Sequence, residues 1–534
     1  MTAWGMTVDL NRCVGCQTCT IACKEANATP PGVQWRRVID VEYGTFPNVE
    51  RLFVVTGCQH CENPPCVPVC PSGATARRAD GLVTIDYDIC IGCASCVVAC
   101  PYQARSIVNE KKWYYRDGPT AQEMLRPHEE RVGVANKCSF CMERIDAAAD
   151  SGQVPGRDLD ATPACVTSCI SQALKFGDLD DAESDVSRLI RDNQSFQMHA
   201  ELGTNPRVRY LYEVPASTPG RDIGADDADD AALSDSHNAL VGERQTFWDY
   251  RAAMNFSLGG MASGLALIAW LAYLARWIDA AVLPKILVPA AAIMAVGLFF
   301  VFLKLGRKMR FLYVLRRPQS SWMTRETYCI ALFYPAVAGS VLWPGPGIYA
   351  LTGISAAGFL YSQAQILFSS KGIPAWRVPL IPWMLMTTGL FEGVGLFAVI
   401  LSAIGTHSAI AGEVGIAGLT LAILIGGLWV LYHQTGSASG IGPLSMKDIS
   451  GMMPMLMIAA FGTPALLFAV SIAMPKAAAV AGMVTVAGGF FWKYALVTRI
   501  CHQQGFALPK VPQRGSGVKA APTRTGVSPA AVVE

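Results

Sequence analysis

Sixteen of the 18 cysteines in this 534-residue chain lie between Cys13 and Cys169, in four groups of four. The first group, Cys13, Cys16, Cys19 and Cys23, is spaced C-x2-C-x2-C-x3-C. The third, Cys90, Cys93, Cys96 and Cys100, repeats that spacing and is followed by Pro101. The second, Cys58, Cys61, Cys66 and Cys70, widens the middle gap to four residues and is followed by Pro71. The fourth is split into Cys138-x2-Cys141 and Cys165-x3-Cys169. Sulfur this dense leaves little room for an ordinary apolar core. Whatever the thiols hold must replace much of that core, so this part of the chain is expected not to fold without it.

The run C-x2-C-x2-C-x3-C-P is the bacterial signature for [4Fe–4S] clusters. A tight loop presents three thiolates to one cube, and the fourth cysteine, one helical turn further on, points to a second. A structural zinc site uses two separated C-x2-C pairs and does not need four close cysteines. Disulfides need an oxidising compartment. Met1–Leu10 has no basic stretch leading into an apolar run and no twin arginine, so no export signal is read there. The expected fold is an α+β ferredoxin-like domain of short strands and helices built around its clusters.

The surrounding residues narrow this further. Cys58-Gln-His-Cys61-Glu-Asn-Pro-Pro-Cys66, Cys90-Ile-Gly-Cys93 and Lys137-Cys138-Ser-Phe-Cys141 resemble the four-cluster iron–sulfur subunit of the DMSO reductase family of molybdenum enzymes, over about residues 5–215. The resemblance implies four ligand sets. One takes Cys13, Cys16, Cys19 and Cys169, and its neighbour takes Cys138, Cys141, Cys165 and Cys23. The other two take Cys90, Cys93, Cys96 with Cys70, and Cys58, Cys61, Cys66 with Cys100. Some nitrate reductase relatives carry tryptophan where Cys93 stands and hold a [3Fe–4S] cluster there, so four [4Fe–4S] clusters are expected. The resemblance also implies a relay, with the first and fourth groups toward a catalytic subunit and the second and third toward the membrane. Lys24, Arg105 and Lys137 lie close enough in sequence to the cysteines to tune potentials. Ordinary surface or partner-facing charge is the competing explanation for each.

The net charge of +2 conceals a division. Residues 1–250 carry 23 Lys and Arg against 35 Asp and Glu, net −12, and residues 251–534 carry 20 against 6, net +14. The total gives no sign of a nucleic-acid binder. Only 16% of residues are charged, against about 25% in a soluble domain. The deficit lies in the second half. Twenty-four residues without charge separate Arg251 from Arg276, 18 separate Lys285 from Lys304, and 44 separate Glu326 from Lys371, broken by Pro344-Gly-Pro-Gly347. Further apolar runs lie near 380–402, 414–432, 452–474 and 477–498. A membrane span needs roughly 20 such residues, which gives eight expected helices. Before them, about 215–241, the chain turns to Asp, Ala, Ser and Gly, with the acidic run Asp226-Asp-Ala-Asp-Asp230. The expected domains are therefore 1–215 for the clusters, 216–245 for an acidic flexible linker, 246–500 for an all-α polytopic membrane anchor, and 501–534 for a disordered basic tail.

Basic residues set the expected topology. Lys304, Arg307, Lys308, Arg310, Arg316, Arg317 and Arg325 crowd one connection, and in all 17 Lys and Arg fall on that side against Arg276, Lys285 and Lys476 on the other. The basic side is read as cytoplasmic, with both termini and the cluster domain on it, at the inner membrane. The stretch Leu305–Glu326 resembles the membrane anchor of DMSO reductase and of related sulfite dehydrogenases. In that family, the arginine at Arg310 and the acid at Glu326 belong to the quinone site. Lys304 stands where a histidine is usual and is the third candidate. A cation can polarise a quinone carbonyl and a carboxyl can relay its proton. The competing explanation is that these arginines only fix topology and headgroup contacts. Glu392 stands mid-span, where an acid is costly. A proton path and a neutral carboxyl hydrogen-bonded to a neighbouring helix are both open. His407, His433 and His502 are the histidines of the second half, at helix ends or loops, so no b haem is expected.

The chain has no molybdopterin-sized domain, no strand–helix Gly-rich nucleotide fingerprint and no substrate-pocket motif. It is read as a fused electron-transfer and anchor subunit with no catalytic residue for the substrate itself. A molybdenum bis-pterin partner would do that chemistry, and the quinone pool and membrane lipid are the other partners. Trp322 and Arg325-Glu326 resemble the quinone-linked sulfite dehydrogenase branch, the relative that works inside the cytoplasm, so the resemblance together with the expected orientation implies sulfite oxidation to sulfate. Reverse flow from quinol to a DMSO, N-oxide, thiosulfate or polysulfide reductase is the alternative. A redox-sensing membrane protein without turnover is the alternative of another class.

Overall fold

The computed structural model describes residues 2–45, 48–115, 118–125, 129–211, 235–236, 238–405 and 410–506. They form two compact units. The first comprises Met1–Glu243 with Gly442–Leu444 and the segment from Gln503, and the second comprises Arg244–Ile441 with Ser445–His502. Most of the expected linker, including Asp226–Asp230, lies outside the described residues. So do His407 and residues 507–534.

The first unit has little regular structure, as its sulfur content demands. Its strands are β1 (Trp4–Asp9), β2 (Arg36–Thr45), β3 (Asn48–Gly57), β4 (Thr75–Arg77), β5 (Val83–Ile85), β6 (Ser106–Ile107), β7 (Ala135–Asn136), β8 (Leu174–Asp178), β9 (Ser195–Phe196) and β10 (Val208–Leu211). Its helices are α1 (Thr18–Asn27), α2 (Ser95–Val98), α3 (Ala121–Leu125), α4 (Met142–Ser151), α5 (Ala164–Thr167) and α6 (Asp185–Asp192). One four-stranded sheet, in the order β8-β1-β10-β9, joins the two ends of the domain, with β1 parallel to β10 and antiparallel to β8. β1 buries Met6 and Val8 completely, which fits one apolar face of a period-two strand. β2 and β3 form a separate long hairpin, and β4–β5 and β6–β7 pair off alone. The core around them mixes eight cysteines with aliphatic and aromatic side chains.

The start of the last segment belongs to this unit. His199 Nε2 lies 2.7 Å from the carbonyl of Gly505, Gln103 Nε2 donates to the Gln504 carbonyl at 2.9 Å, and the Phe506 N–H donates to Leu240 at 2.8 Å. Phe506 is buried. Composition alone places residues 501–506 in the tail, and these contacts take Gln503–Phe506 out of it.

The second unit is helical: α7 (Tyr250–Leu274), α8 (Leu283–Lys304), α9 (Trp322–Leu342), α10 (Pro346–Phe368), α11 (Ile381–Ala403), α12 (Ala411–Thr435), α13 (Pro443–Met455), α14 (Thr463–Ala473) and α15 (Ala477–Thr498). A π-helical stretch, Leu456–Gly462, joins α13 to α14. Pro454 just before it can donate no backbone hydrogen bond, a usual setting for a π-bulge in a continuous helix. Among the described residues six helices are long and apolar enough to cross a membrane: α7, α8, α11, α12, the combined Pro443–Ala473 and α15. The charge-free runs predict eight. The two others, α9 and α10, have 21 and 23 residues but lack a sufficiently long uninterrupted apolar stretch. They bury Thr324, Glu326, Ser340, Thr352, Ser355, Ser362 and Gln363. Freedom from charge is a weaker criterion than apolarity, and the 44-residue run meets only the former.

Helices α7, α11 and α15 pack on one another at the centre. Small residues allow the approach. A Cβ at Gly264 of α7 would lie 1.8 Å from the Gly389 carbonyl of α11, so glycine is required there. Close glycine contacts of this kind are how helices associate where lipid removes the hydrophobic drive.

Candidate functional site

The four C-x2-C loops share one backbone device. The residue before the second cysteine is left-handed in each: Gly15 at φ 69°, His60 at 43°, Gly92 at 70° and Phe140 at 57°. In the first and third loops the residue after that cysteine, Gln17 or Ala94, is left-handed too. Such turns aim successive N–H groups inward, as in known iron–sulfur nests. Phe140 N–H lies 3.4 Å from Cys138 Sγ, and Thr75 N–H lies 3.4 Å from Cys70 Sγ. Glycine meets the first and third turns without strain. His60 and Phe140 accept the strain and stack on each other, ring centroids 3.8 Å apart.

The loops sort the thiols into four sets. Cys13, Cys16, Cys19 and Cys169 line one small cavity. Cys70, Cys90, Cys93 and Cys96 line another. Cys23 faces Cys138, Cys165 and Cys141, and Cys61 faces Cys58, Cys66 and Cys100. Cys58 and Cys138 are close enough to feel each other's charge, so the second of these last sets adjoins the first. Among the described residues no cysteine is in a disulfide.

Burial and mutual charge push these thiols up: Cys93 and Cys100 to about 11, Cys165 to about 12, and Cys23 and Cys61 well above the ordinary thiol. The exposed Cys16 is instead lowered, by hydrogen bonding with Thr18, and four thiols gathered at each set call for a positive centre. No three His, Cys, Asp or Glu side chains among the described residues converge on a point, as they would around a single ion. A cube spreads its thiolates over four corners, so cavities lined by thiols at their edges fit a [4Fe–4S] cluster. They would leave a lone ion under-ligated.

The flanking cations take different roles. Arg105 is buried and donates through Nη2 to Cys66 Sγ at 2.9 Å and through Nη1 to Thr75 Oγ1 at 3.1 Å. Lys137 is buried and donates to the carbonyls of Val83 and, at 2.7 Å, Cys138. Lys24 turns away from sulfur, to the Val33 and Pro30 carbonyls at 2.7 and 3.3 Å. His60 lies under Cys138: its Nε2 is 3.1 Å from that carbonyl, and its Nδ1 accepts from Val83 N–H at 3.0 Å. Burial first, and then the Lys137 charge, hold its pKa well below the ordinary histidine value. Arg36 is the residue that sequence reasoning misses. It is fully buried at the head of β2, opposite Gly57. The pair Arg36-Arg37 opening a strand reads as surface charge, and nothing in its spacing marks the first as internal.

The quinone candidates fall on one connection and the helix after it. Lys304 ends α8, and Arg310 lies in the 3₁₀ stretch Lys308–Arg316. Glu326 is buried in the second turn of α9, and its Oε1 has no hydrogen-bond partner among the described residues. The connection is pinned over the start of α9. Thr324 Oγ1 donates to the Val314 carbonyl at 2.6 Å, and Tyr328 OH donates to Leu315 at 3.1 Å.

Glu392 proves to be paired. Its Oε2 accepts from Lys493 Nζ of α15 at 2.5 Å, and both side chains are buried. Lys493 also reaches the Ser257 carbonyl at 3.3 Å. Lys493→Met strands the carboxylate and is expected to cost about 3–5 kcal/mol, whereas Lys493→Met with Glu392→Leu removes both charges and recovers most of that. Thermal unfolding in detergent reads the difference. Equal melting of the single and double variants would count against a stabilising pair.

Residues 49–115 match the model of the 4Fe-4S dicluster domain family. The chain is 42% identical over 220 residues to a selenate reductase subunit of Mesobacillus selenatarsenatis, covering 39% of this chain and 71% of that protein. It is 39% identical over 224 residues to the putative dimethyl sulfoxide reductase iron-sulfur subunit of Halobacterium salinarum, covering 40% and 79%. It is also 39% identical over 227 residues to a sulfite dehydrogenase subunit of Allochromatium vinosum, covering 40% and 83%.

Proposed function

Since this chain belongs to the family of iron–sulfur subunits of molybdoenzyme complexes, we propose that it passes electrons between a molybdenum-containing catalytic partner and the quinone pool, in the oxidation of sulfite to sulfate. The observation that carries this reading is the sorting of sixteen thiols into four sets, in a chain whose described residues also include six helices apolar enough to cross a membrane. Bound [4Fe–4S] clusters would supply one-electron storage at each set. Their ligands are Cys13, Cys16, Cys19 and Cys169; Cys23, Cys138, Cys141 and Cys165; Cys58, Cys61, Cys66 and Cys100; and Cys70, Cys90, Cys93 and Cys96. The chain's part is to hold these sets close, bury them and exclude water.

The set at Cys13 and Cys169 faces the catalytic partner. Cys16 is exposed there, and Val14, Ile21 and Ile170 are 53%, 63% and 71% exposed. Uncovered aliphatic side chains around a redox site suit an interface with another protein. Arg310, Glu326 and Lys304 handle the quinone: Arg310 polarises a carbonyl, and Glu326 relays a proton from the basic side. Helices α9 and α10 complete eight spans at the inner membrane, with both termini and the clusters in the cytoplasm. That orientation favours sulfite oxidation. The names of the selenate and dimethyl sulfoxide reductase relatives support a second reading, in which quinol electrons flow the other way.

The test is to purify the chain with its companions from native membranes. The expected result is a large molybdenum-containing partner and sulfite-dependent reduction of a short-chain quinone. Quinol oxidation by selenate or an S-oxide, with no sulfite activity, would establish the second reading. A chain that comes out with no large partner would overturn both and favour a redox sensor.

A further inference from the structure

Two of the gaps between the four thiol sets hold an arginine with no acidic partner among the described residues. Arg36 is completely buried. Its charge is felt by Cys19 of one set and by Cys165, Cys138 and Cys23 of the next. Arg105, 5% exposed, is felt by Cys66, Cys58 and Cys100 of one set and by Cys96 of the other. The middle gap, between Cys138 and Cys58, has no arginine: it holds the stacked His60 and Phe140, and its buried cation, Lys137, is bonded to the Val83 and Cys138 carbonyls. Each half of the domain thus carries one internal guanidinium between its two sets.

The two groups differ in how fully their hydrogen bonds are made. Arg105 spends Nη2 on Cys66 Sγ and Nη1 on Thr75. Arg36 Nη2 contacts Met6 Sδ at 3.2 Å, and its Nε and Nη1 have no hydrogen-bond partner among the described residues. A buried guanidinium left with idle donors is costly unless negative charge lies beside it. The Gly57 backbone is cut close to make room: a Cβ there would sit 3.3 Å from Arg36 Nη1 and 2.7 Å from the Trp35 carbonyl.

We propose that Arg36 and Arg105 are the two potential-setting residues of the relay, each fixing a positive charge between the members of one cluster pair. The inference rests on the four-cluster reading. A fixed cation stabilises the state that holds one more electron, so each arginine raises the potentials of its own pair above those of an otherwise identical neutral site. They are positioning residues and take no part in substrate chemistry. The two halves are then tuned separately, by residues 69 positions apart in sequence.

The experiment is a mediator-poised redox titration of the membrane-bound protein, followed by electron paramagnetic resonance, with iron content measured on the same samples. Arg36→Gln is expected to lower the potentials of two clusters, changing their one-electron equilibrium at least tenfold, or about 59 mV, and to leave the other two in place. Arg105→Gln is expected to shift the complementary pair. Arg36→Lys and Arg105→Lys keep the charge and are expected to keep the potentials. Native iron with unmoved potentials in both glutamine variants would overturn the proposal, as would an equal shift of all clusters. If a glutamine variant fails to hold iron, its lysine variant decides. Native potentials there support the charge role, and a shift of tenfold or more overturns it. Absence of cluster signals from the unmutated protein would instead overturn the four-cluster reading, and this inference with it.

Discussion

Removing iron from the protein is expected to unfold the cysteine-rich unit while leaving the helical unit folded. The first unit has strands of two and three residues, and its core is lined by the thiols themselves. Isolated pairs such as β4–β5 and β6–β7 cannot stand alone in water. Their positions are fixed through the loops that carry Cys70, Cys90, Cys100 and Cys138. Metal binding to such a domain is largely its folding free energy. Chelation under reducing conditions should abolish amide protection across β1, β8 and β10. Protection across α7, α11 and α15 should persist, because their burial rests on helix packing. A cysteine-rich unit that stayed protected after complete iron loss would refute this account. A single Cys96→Ala exchange is expected to give a milder version, with the set containing Cys70 and Cys90 lost first.

Arg310→Ala and Glu326→Gln are expected to reduce quinone turnover at least ~100-fold while every cluster signal persists. A positioned acid or base typically contributes about 10²–10⁴ in rate. Removing an electrostatic stabiliser costs about 10²–10³. Glu326→Gln nearly preserves shape and hydrogen bonding, so a loss in that variant speaks for the proton. The two readouts separate a quinone site from a structural one: a misfolded anchor would lose protein from the membrane. Wild-type turnover in either variant, with native clusters, would remove that residue from the assignment. Lys304→Ala is the weaker case, since the long side chain ends a helix at the basic side.

How much of this is legible in the sequence differs by element. Cysteine spacing makes the four groups plain, because a cube tolerates few loop lengths. Which cysteine joins which set comes only from resemblance, since partners such as Cys23 and Cys165 lie 142 positions apart. The strained turns are half visible: glycine marks Gly15 and Gly92, but His60 and Phe140 are left-handed without advertising it. Glu392 looks like a lone buried acid, and its partner Lys493, 101 residues on, reads as a basic residue at the membrane edge. Arg36 has no sequence signal, because its burial depends on the return of β3 and on the sulfur around it. The spans are legible as charge-free runs, but that criterion is blind to the polar residues that interrupt α9 and α10, such as Thr324, Ser355 and Gln363.

The return of Gln503–Phe506 to the first unit bears on how this protein can be dissected. The cysteine-rich unit is discontinuous, and the helices of the second unit form an insert within its sequence. A fragment cut after Glu243 would lack the carbonyls that meet His199 and Gln103, and would leave open the place that Phe506 fills. Such a fragment is an incomplete split protein. Adding Gln503–Phe506 back, through a short Gly-Ser linker or as a separate peptide, would be complementation in the strict sense. The same four residues give a compact handle for reporting whether the two ends of that unit have come together during synthesis.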